Sequence, residues 1–286
     1  MTTTMLVDTH CHFDAAEFDA DRDEESNQAR EQGVVAIVVP SVCQANFEVV
    51  IKLAQQHAHV HYALGIHPMY VNQSQITDLA ALKTLLQQAI TFDKPPVAIG
   101  EIGLDFFVTT ENRDQQIYFF TEQLKLAKAF DLPVIMHVRR AVDDVLKYCK
   151  KIKVKGGIVH AFNGSCQQAN EFIKLGFKLG FGGAMTYPRA LKIRALAENL
   201  PIEAIVLETD APDIPPIWLT QTTQKPIEIK ARNSPKELIK IAQVLADLRG
   251  LKLAQVSDIT TKNALDILPK LIPQLTDLYT PPHVLL

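Results

Sequence analysis

Short apolar runs rich in β-branched residues recur at 6–10, 34–40, 61–67, 97–101, 132–138, 156–161, 177–182 and 204–209. Each has the length of a buried strand and is bounded by polar or turn-forming residues. Between them the apolar positions switch to a helical period. The switch is clearest over 113–130, where Ile117, Phe120, Leu124 and Ala127 fall on one stripe. The same pattern predicts helices over 44–57, 77–92, 141–151, 167–175 and 189–199, with a later one over 234–249 opened by Ser234 and Pro235 and a further one from about 258.

The strand starts lie roughly thirty residues apart, the size of a strand with a returning helix. Eight such units without a break in composition predict a single (β/α)8 TIM-type barrel domain over 1–286, with a tail from about 275. An open doubly wound sheet is the rival. It would gather its ligand groups at one switch point, whereas the chemically suggestive residues here end strands one, four, five, six and eight, which only closure brings together.

Those residues are His10 and His12, Glu101, His137, His160 and Asp210. His10 and His12 are two apart, so on an extended strand both rings point the same way. Glu101 ends the fourth run between Gly100 and Gly103, and a divalent cation would compensate a buried carboxylate there. His137 and His160 each follow an apolar run, and Asp210 follows the eighth. Taken singly, each has a bland alternative: a packed histidine, a salt-bridged glutamate or an aspartate cap. Together they supply donors for two divalent ions, with zinc, manganese, nickel and magnesium all open as the identity.

Composition adds limits. With 47% hydrophobic and 21% charged residues the chain is ordinary globular material. Neither a basic, apolar leader nor a long apolar stretch is visible, which predicts a cytoplasmic protein without membrane attachment. Cys11, Cys43, Cys149 and Cys166 are too sparse for a disulfide framework and are expected as reduced thiols, Cys11 pointing into the core. A net charge of −3 offers no global attraction for a polyanion. The lysine run from Lys147 to Lys155 is expected to be a solvated helix face rather than a nucleic-acid patch.

The series D-T-H-C-H (8–12), G-I-H-P (65–68), G-E-I-G-L-D (100–105), His137, V-H-A-F-N-G-S (159–165), L-E-T-D-A-P (207–212) and R-N-S-P (232–235) resembles the TatD family of metal-dependent deoxyribonucleases over essentially the whole chain. The segments 182–189 and 210–215 are most similar to its YjjV-like branch. The resemblance implies a TIM-type barrel, single-stranded DNA as substrate with 3′ to 5′ exonuclease action, no obligate protein partner, and two divalent ions that turn bound water into hydroxide. It implies that Glu101 bridges the ions, that His10, His12 and Asp210 hold one and His137 with His160 the other, and that Asp210 orients or deprotonates the attacking water.

His67 becomes a hydrogen-bond donor to phosphate or an outer support of the ions, and Arg139 and Arg232 become phosphate partners or surface salt bridges. Asp105 is expected to orient a ligating histidine, and Asn163 and Ser165 to stabilise a turn. The chain departs from the family where Val108 replaces a frequent basic residue, which weakens one phosphate contact. The proline-bearing segment 211–231, with Trp218, is expected as a loop shaping access or serving structure alone. Two other classes compete: an amidohydrolase-type enzyme attacking a cyclic amide, lactone or phosphoester, and a non-catalytic metal-binding barrel. Many amidohydrolases use a modified lysine where this chain has Glu101.

Overall fold

The computed structural model describes residues 4–107, 112–221 and 231–272; Val108, the stretch 222–230 and the tail from about 275 lie outside the described residues. The strands are β1 (Leu6–Asp8), β2 (Val34–Pro40), β3 (Val60–Leu64), β4 (Ala98–Asp105), β5 (Val134–Arg139), β6 (Gly157–Val159), β7 (Phe177–Phe181) and β8 (Ile205–Leu207). They form one sheet in chain order, each parallel to the next.

The seam between β8 and β1 closes by a different device. The Thr9 N–H donates to Leu207 O at 3.1 Å and the Asp210 N–H to His10 O at 2.9 Å. The buried Asp8 carboxylate accepts from the Thr209 N–H at 2.9 Å and from its hydroxyl at 2.6 Å. The sheet is thus the nearly closed (β/α)8 barrel that the strand spacing predicts. Around it run α1 (Arg22–Glu31), α2 (Phe47–Gln56), α3 (Ile76–Ala89), α4 (Arg113–Ala129), α5 (Val142–Ile152), α6 (Cys166–Lys174), α7 (Leu191–Asn199), α8 (Ile217–Gln221), α9 (Leu238–Arg249) and α10 (Leu253–Ile267).

Side-chain alternation along the strands separates two layers of core. Ile37, Val39, Leu64, Ile99, Val134, Met136, Val159 and Leu179 pack outward against the helices, with Phe120, Phe172, Leu245 and their neighbours. Ala36, Val38, Ala63, Ala98, Ile135, Ile158 and Val206 form the inward layer with Leu268 and Leu271, which follow α10. Burying these side chains stabilises the fold by about 1.5–3 kcal/mol for each large aliphatic residue, before conformational entropy is counted. The inward layer also decides where chemistry sits, because the next inward positions along the same strands reach the mouth of the barrel.

Several expected bounds move. β1, β3, β6 and β8 stop two or three residues before the ends of their apolar runs, so His10, His12, His67, His160 and Asp210 stand on the segments that leave the strands. Helix α1 has no counterpart in the apolar pattern because its inner face is polar: its buried residues are Glu25, Ser26 and Ala29. Glu25 is neutralised by Arg232 and Lys236, each at 2.9 Å, and accepts a hydrogen bond from Ser234. α10 begins at Leu253 rather than near 258, and the segment after β8 contains the short α8. There the Trp218 indole N–H donates to Glu237 Oε2 at 2.6 Å. Among the described residues no helix is long and apolar enough to cross a membrane.

Candidate metal centre

Three of the strands carry a polar residue two positions beyond an inward core residue: His137 follows Ile135, His160 follows Ile158 and Glu208 follows Val206. Glu101 joins them because the β4–β5 register slips between Ile99 and Ile102, a local irregularity of the kind that re-aims a side chain. Asp210 stands in the left-handed region at φ +56, where a non-glycine residue is uncommon. Its N–H bond to His10 O ties the end of β8 to the end of β1.

Glu101, 1% exposed, is the hub. Its Oε2 lies 3.2 Å from His10 Nε2 and 3.4 Å from His12 Nε2, while its Oε1 lies 3.2 Å from His137 Nδ1 and 2.9 Å from His160 Nε2. Each carboxylate oxygen thus faces its own pair of imidazoles. Asp210 Oδ1 is 3.4 Å from His10 Nε2 and 3.8 Å from His12 Nε2, on the first side. The six residues expected as ligands therefore meet in one place. His67 meets them too: its Nε2 is 3.3 Å from Glu101 Oε1, making it a neighbour of the donors rather than of the solvent.

The donors fit divalent cations better than they fit one another. Glu101 Oε1 and Oε2 are both buried without a hydrogen bond of good geometry, despite the nitrogens around them. The ring nitrogens also crowd in pairs, with His10 Nε2 3.3 Å from His12 Nε2 and His160 Nε2 3.4 Å from His137 Nδ1. Donor atoms of His10, His12 and Glu101, of His10, His160 and Asp210, and of His67, Glu101 and His137 lie within 4.8 Å of each other in each group. Nitrogen and carboxylate donors so arranged suit two borderline divalent ions sharing Glu101.

Electrostatics divides the imidazoles: burial lowers them all, but Glu101 raises His12 to about 9 and His160 well above its ordinary value, and Asp105 with Glu101 raises His137. Burial alone would push the Glu101 carboxyl up, but His67, His10 and His160 more than offset it and hold it well below the usual carboxylate range. His10 is pushed down to about 3 by burial and by His160, whose ring stacks on it at 3.9 Å, so it stays neutral, the form that ligates. Burial raises the Asp210 carboxyl to about 6.

A second layer fixes the rings. Asp105 Oδ2 is 3.0 Å from His137 Nε2, as expected of an orienting acceptor. Glu208, to which the sequence reading assigns no role, stands beside His160 without hydrogen-bonding its ring. Its Oε1 accepts from the Ala161 N–H at 2.6 Å and lies 3.7 Å from His160 Nδ1. It fits only because residue 180 is glycine: a Cβ there would come within 2.1 Å of Glu208 Oε2. The signal that could have revealed it is the alternation Val206, Glu208, Asp210 along one inward face. Cys11 lies in the core, with its thiol toward Ala211 O at 3.6 Å.

The centre forms the floor of a cavity of about 870 Å³ lined also by Asp14, Met69, Tyr70, Arg139 and Asn163. Arg139 lies over the Phe107 ring at 3.8 Å and reaches the cavity wall. Arg232 does not line it. Its guanidinium is committed to Asp21 at 2.7 Å and Glu25 at 2.9 Å, so the phosphate role considered for it gives way to a structural ion pair. Ser165 caps α6 by accepting from the Gln168 N–H.

Comparison with known proteins adds four findings. The family model described as "TatD related DNase" matches residues 7–269. The metal-dependent hydrolase YjjV of Escherichia coli K12 is 39% identical over 245 residues, covering 85% of this chain and 90% of that protein. The human protein named deoxyribonuclease TATDN3 is 30% identical, covering 93% and 95%. The crystal structure of the E. coli YjjV protein superposes with a TM-score of 0.85 at 36% identity, over 94% of this chain and 99% of that one.

Proposed function

The chain belongs to the TatD-related family of metal-dependent hydrolases, and from that premise we propose that it is a deoxyribonuclease, cleaving phosphodiester bonds of single-stranded DNA from the 3′ end. The observation that carries this reading is the division of Glu101, whose Oε2 faces His10 and His12 and whose Oε1 faces His67, His137 and His160, at the floor of an open cavity with an arginine on its wall. Two centres sharing one carboxylate suit an in-line displacement at phosphorus, which needs charge compensation on both the attacking and the leaving oxygen.

His10, His12 and Asp210 with Glu101 would hold one ion, and His137 and His160 with Glu101 the other. The ions supply an acidified water and a polarised phosphoryl oxygen. Asp210 orients the attacking water and takes its proton. As water adds to phosphorus the bond to the leaving sugar oxygen breaks, and that oxygen is protonated from solvent. Arg139, over the Phe107 ring, pairs with a non-reacting phosphate, and His67 supports Glu101 through its Oε1. A cytoplasmic setting suits the four free cysteines.

The test is to load metal-stripped protein separately with zinc, manganese, nickel and magnesium. Labelled single-stranded DNA, a small phosphodiester and a lactone are then assayed side by side. Cleavage of the DNA from its 3′ end at a kcat/KM above that for the lactone is expected. Lactone hydrolysis with inert DNA would replace the deoxyribonuclease reading by the amidohydrolase one.

A further inference from the structure

Imidazoles, carboxylates and small side chains make up most of the cavity lining, with Val42, Met69, Tyr70, Val138, Pro212 and Ile214 as its larger apolar members. Of the large apolar side chains left exposed among the described residues, only Met69, 49% exposed, and Tyr70, 37% exposed, line the cavity. Both sit on the short 3-10 turn Pro68–Gln73 that leaves β3.

That turn is held rigidly. Pro68 is buried at its first position, the Met69 N–H donates to His67 Nδ1 at 3.1 Å, and the Tyr70 N–H donates to His67 O at 2.9 Å. The Ser74 hydroxyl donates to Tyr70 O at 3.0 Å, and the Gln115 side-chain amide donates to Val71 O at 3.2 Å. The Tyr70 ring stands edge-on to His67, 6.2 Å between centroids, and His67 in turn touches Glu101. The two apolar groups therefore rise from the same hydrogen-bonded backbone turn that follows His67, a neighbour of the site's donors.

We infer that Met69 and Tyr70 form a ledge on which the nucleobase next to the scissile phosphate stacks. The inference rests on the phosphodiesterase reading above and deepens it. The ledge leaves β3, Glu101 lies on β4 and Arg139 ends β5, so base platform, reacting centre and phosphate partner occupy three consecutive strands. A nucleotide presents those features in the same succession: a flat apolar face, the reacting phosphate, and a neighbouring anion. Aromatic stacking accepts any base, because each has a π-face, so the ledge confers a demand for a base without a preference among bases.

The test compares binding of deoxyadenosine 5′-monophosphate and of deoxyribose 5-phosphate to the zinc-loaded protein by calorimetry. Wild type is expected to bind the nucleotide about tenfold more tightly than the baseless sugar phosphate, within the range alanine substitution finds for one stacked base. Tyr70→Ala removes that difference, Tyr70→Phe keeps it and Met69→Ala narrows it. Equal binding of both probes by wild type overturns the ledge, as does full discrimination by a Tyr70→Ala protein with an unchanged melting curve. Loss of discrimination in Tyr70→Ala by a protein that cleaves no phosphodiester upholds the ledge and refutes the deoxyribonuclease reading instead. Phosphodiester cleavage without discrimination does the reverse.

Discussion

The barrel carries two clusters of imidazoles, one at each end. At the mouth, His10, His12, His67, His137 and His160 surround Glu101. At the opposite end, His57 follows α2 and His59 precedes β3, with Ser26 of α1 between them: its Oγ is 3.2 Å from His57 Nδ1 and 3.3 Å from His59 Nε2. The nearest carboxylate there, Asp23, is 3.6 Å from His57 and its side chain is 93% exposed. The local surroundings are cationic instead, since Lys94 donates to the carbonyls of Ala54, His57, Ala58 and Val60. Histidines alone therefore do not make a metal centre. Among the described residues, groups of histidines and carboxylates close enough to hold a cation lie only at the mouth.

Three measurements sharpen that contrast, the first with the largest effect. Glu101→Gln keeps the volume and removes the shared charge. Turnover on any substrate of the enzyme is expected to fall by roughly 10³-fold or more, since several kcal/mol of charge stabilisation depend on it. Bound metal measured by atomic absorption should fall with it; full metal content and unchanged turnover would remove Glu101 from the centre.

Glu208→Gln is the next in size. It preserves an acceptor for the Ala161 N–H but takes away the carboxylate beside His160, and metal affinity measured against a chromophoric chelator should weaken by about 10–100-fold. Undiminished affinity would make Glu208 a purely structural residue.

His59→Phe has the smallest effect. It should leave metal content untouched and cost about 1 kcal/mol in urea unfolding through the lost Ser26 hydrogen bond. Its pH dependence is diagnostic. Burial, with Arg30 and His57 nearby, holds folded His59 down at about 3, whereas the unfolded residue titrates near its ordinary 6.5. Between those values the unfolded chain binds the extra proton, so this contribution is complete above 6.5 and is lost as pH falls toward 3. The variant should lose stability less steeply over that window. An equal slope would mean that His59 is not the residue protonated.

Much of this was legible before any coordinates. Strand positions, the barrel class and the six residues that meet at the mouth could be read because burial on both faces leaves continuous apolar runs and because polar residues at the ends of such runs lack a packing reason. Other features left no local mark. Helix α1 hides an inner face built on Glu25, whose compensation comes from Arg232 and Lys236, more than two hundred residues away. The same pairing withdraws Arg232 from the cavity, although its place in R-N-S-P resembles that of a substrate residue. Glu208 takes its place from Gly180, which leaves room for it, and from the Ala161 N–H, which donates to it, neither of them near it in sequence.

By itself the sequence determined periodicity, and periodicity determines which residues face inward along each strand and hence which side chains arrive at the barrel mouth. What only the tertiary structure decided is partnership: which carboxylate answers which ring, which arginine is already spent, and where an apolar ledge meets the cavity. The physical reason is range. Alternation is a property of neighbouring residues, whereas the cost of a buried charge is settled by whatever the fold brings within a few ångströms of it.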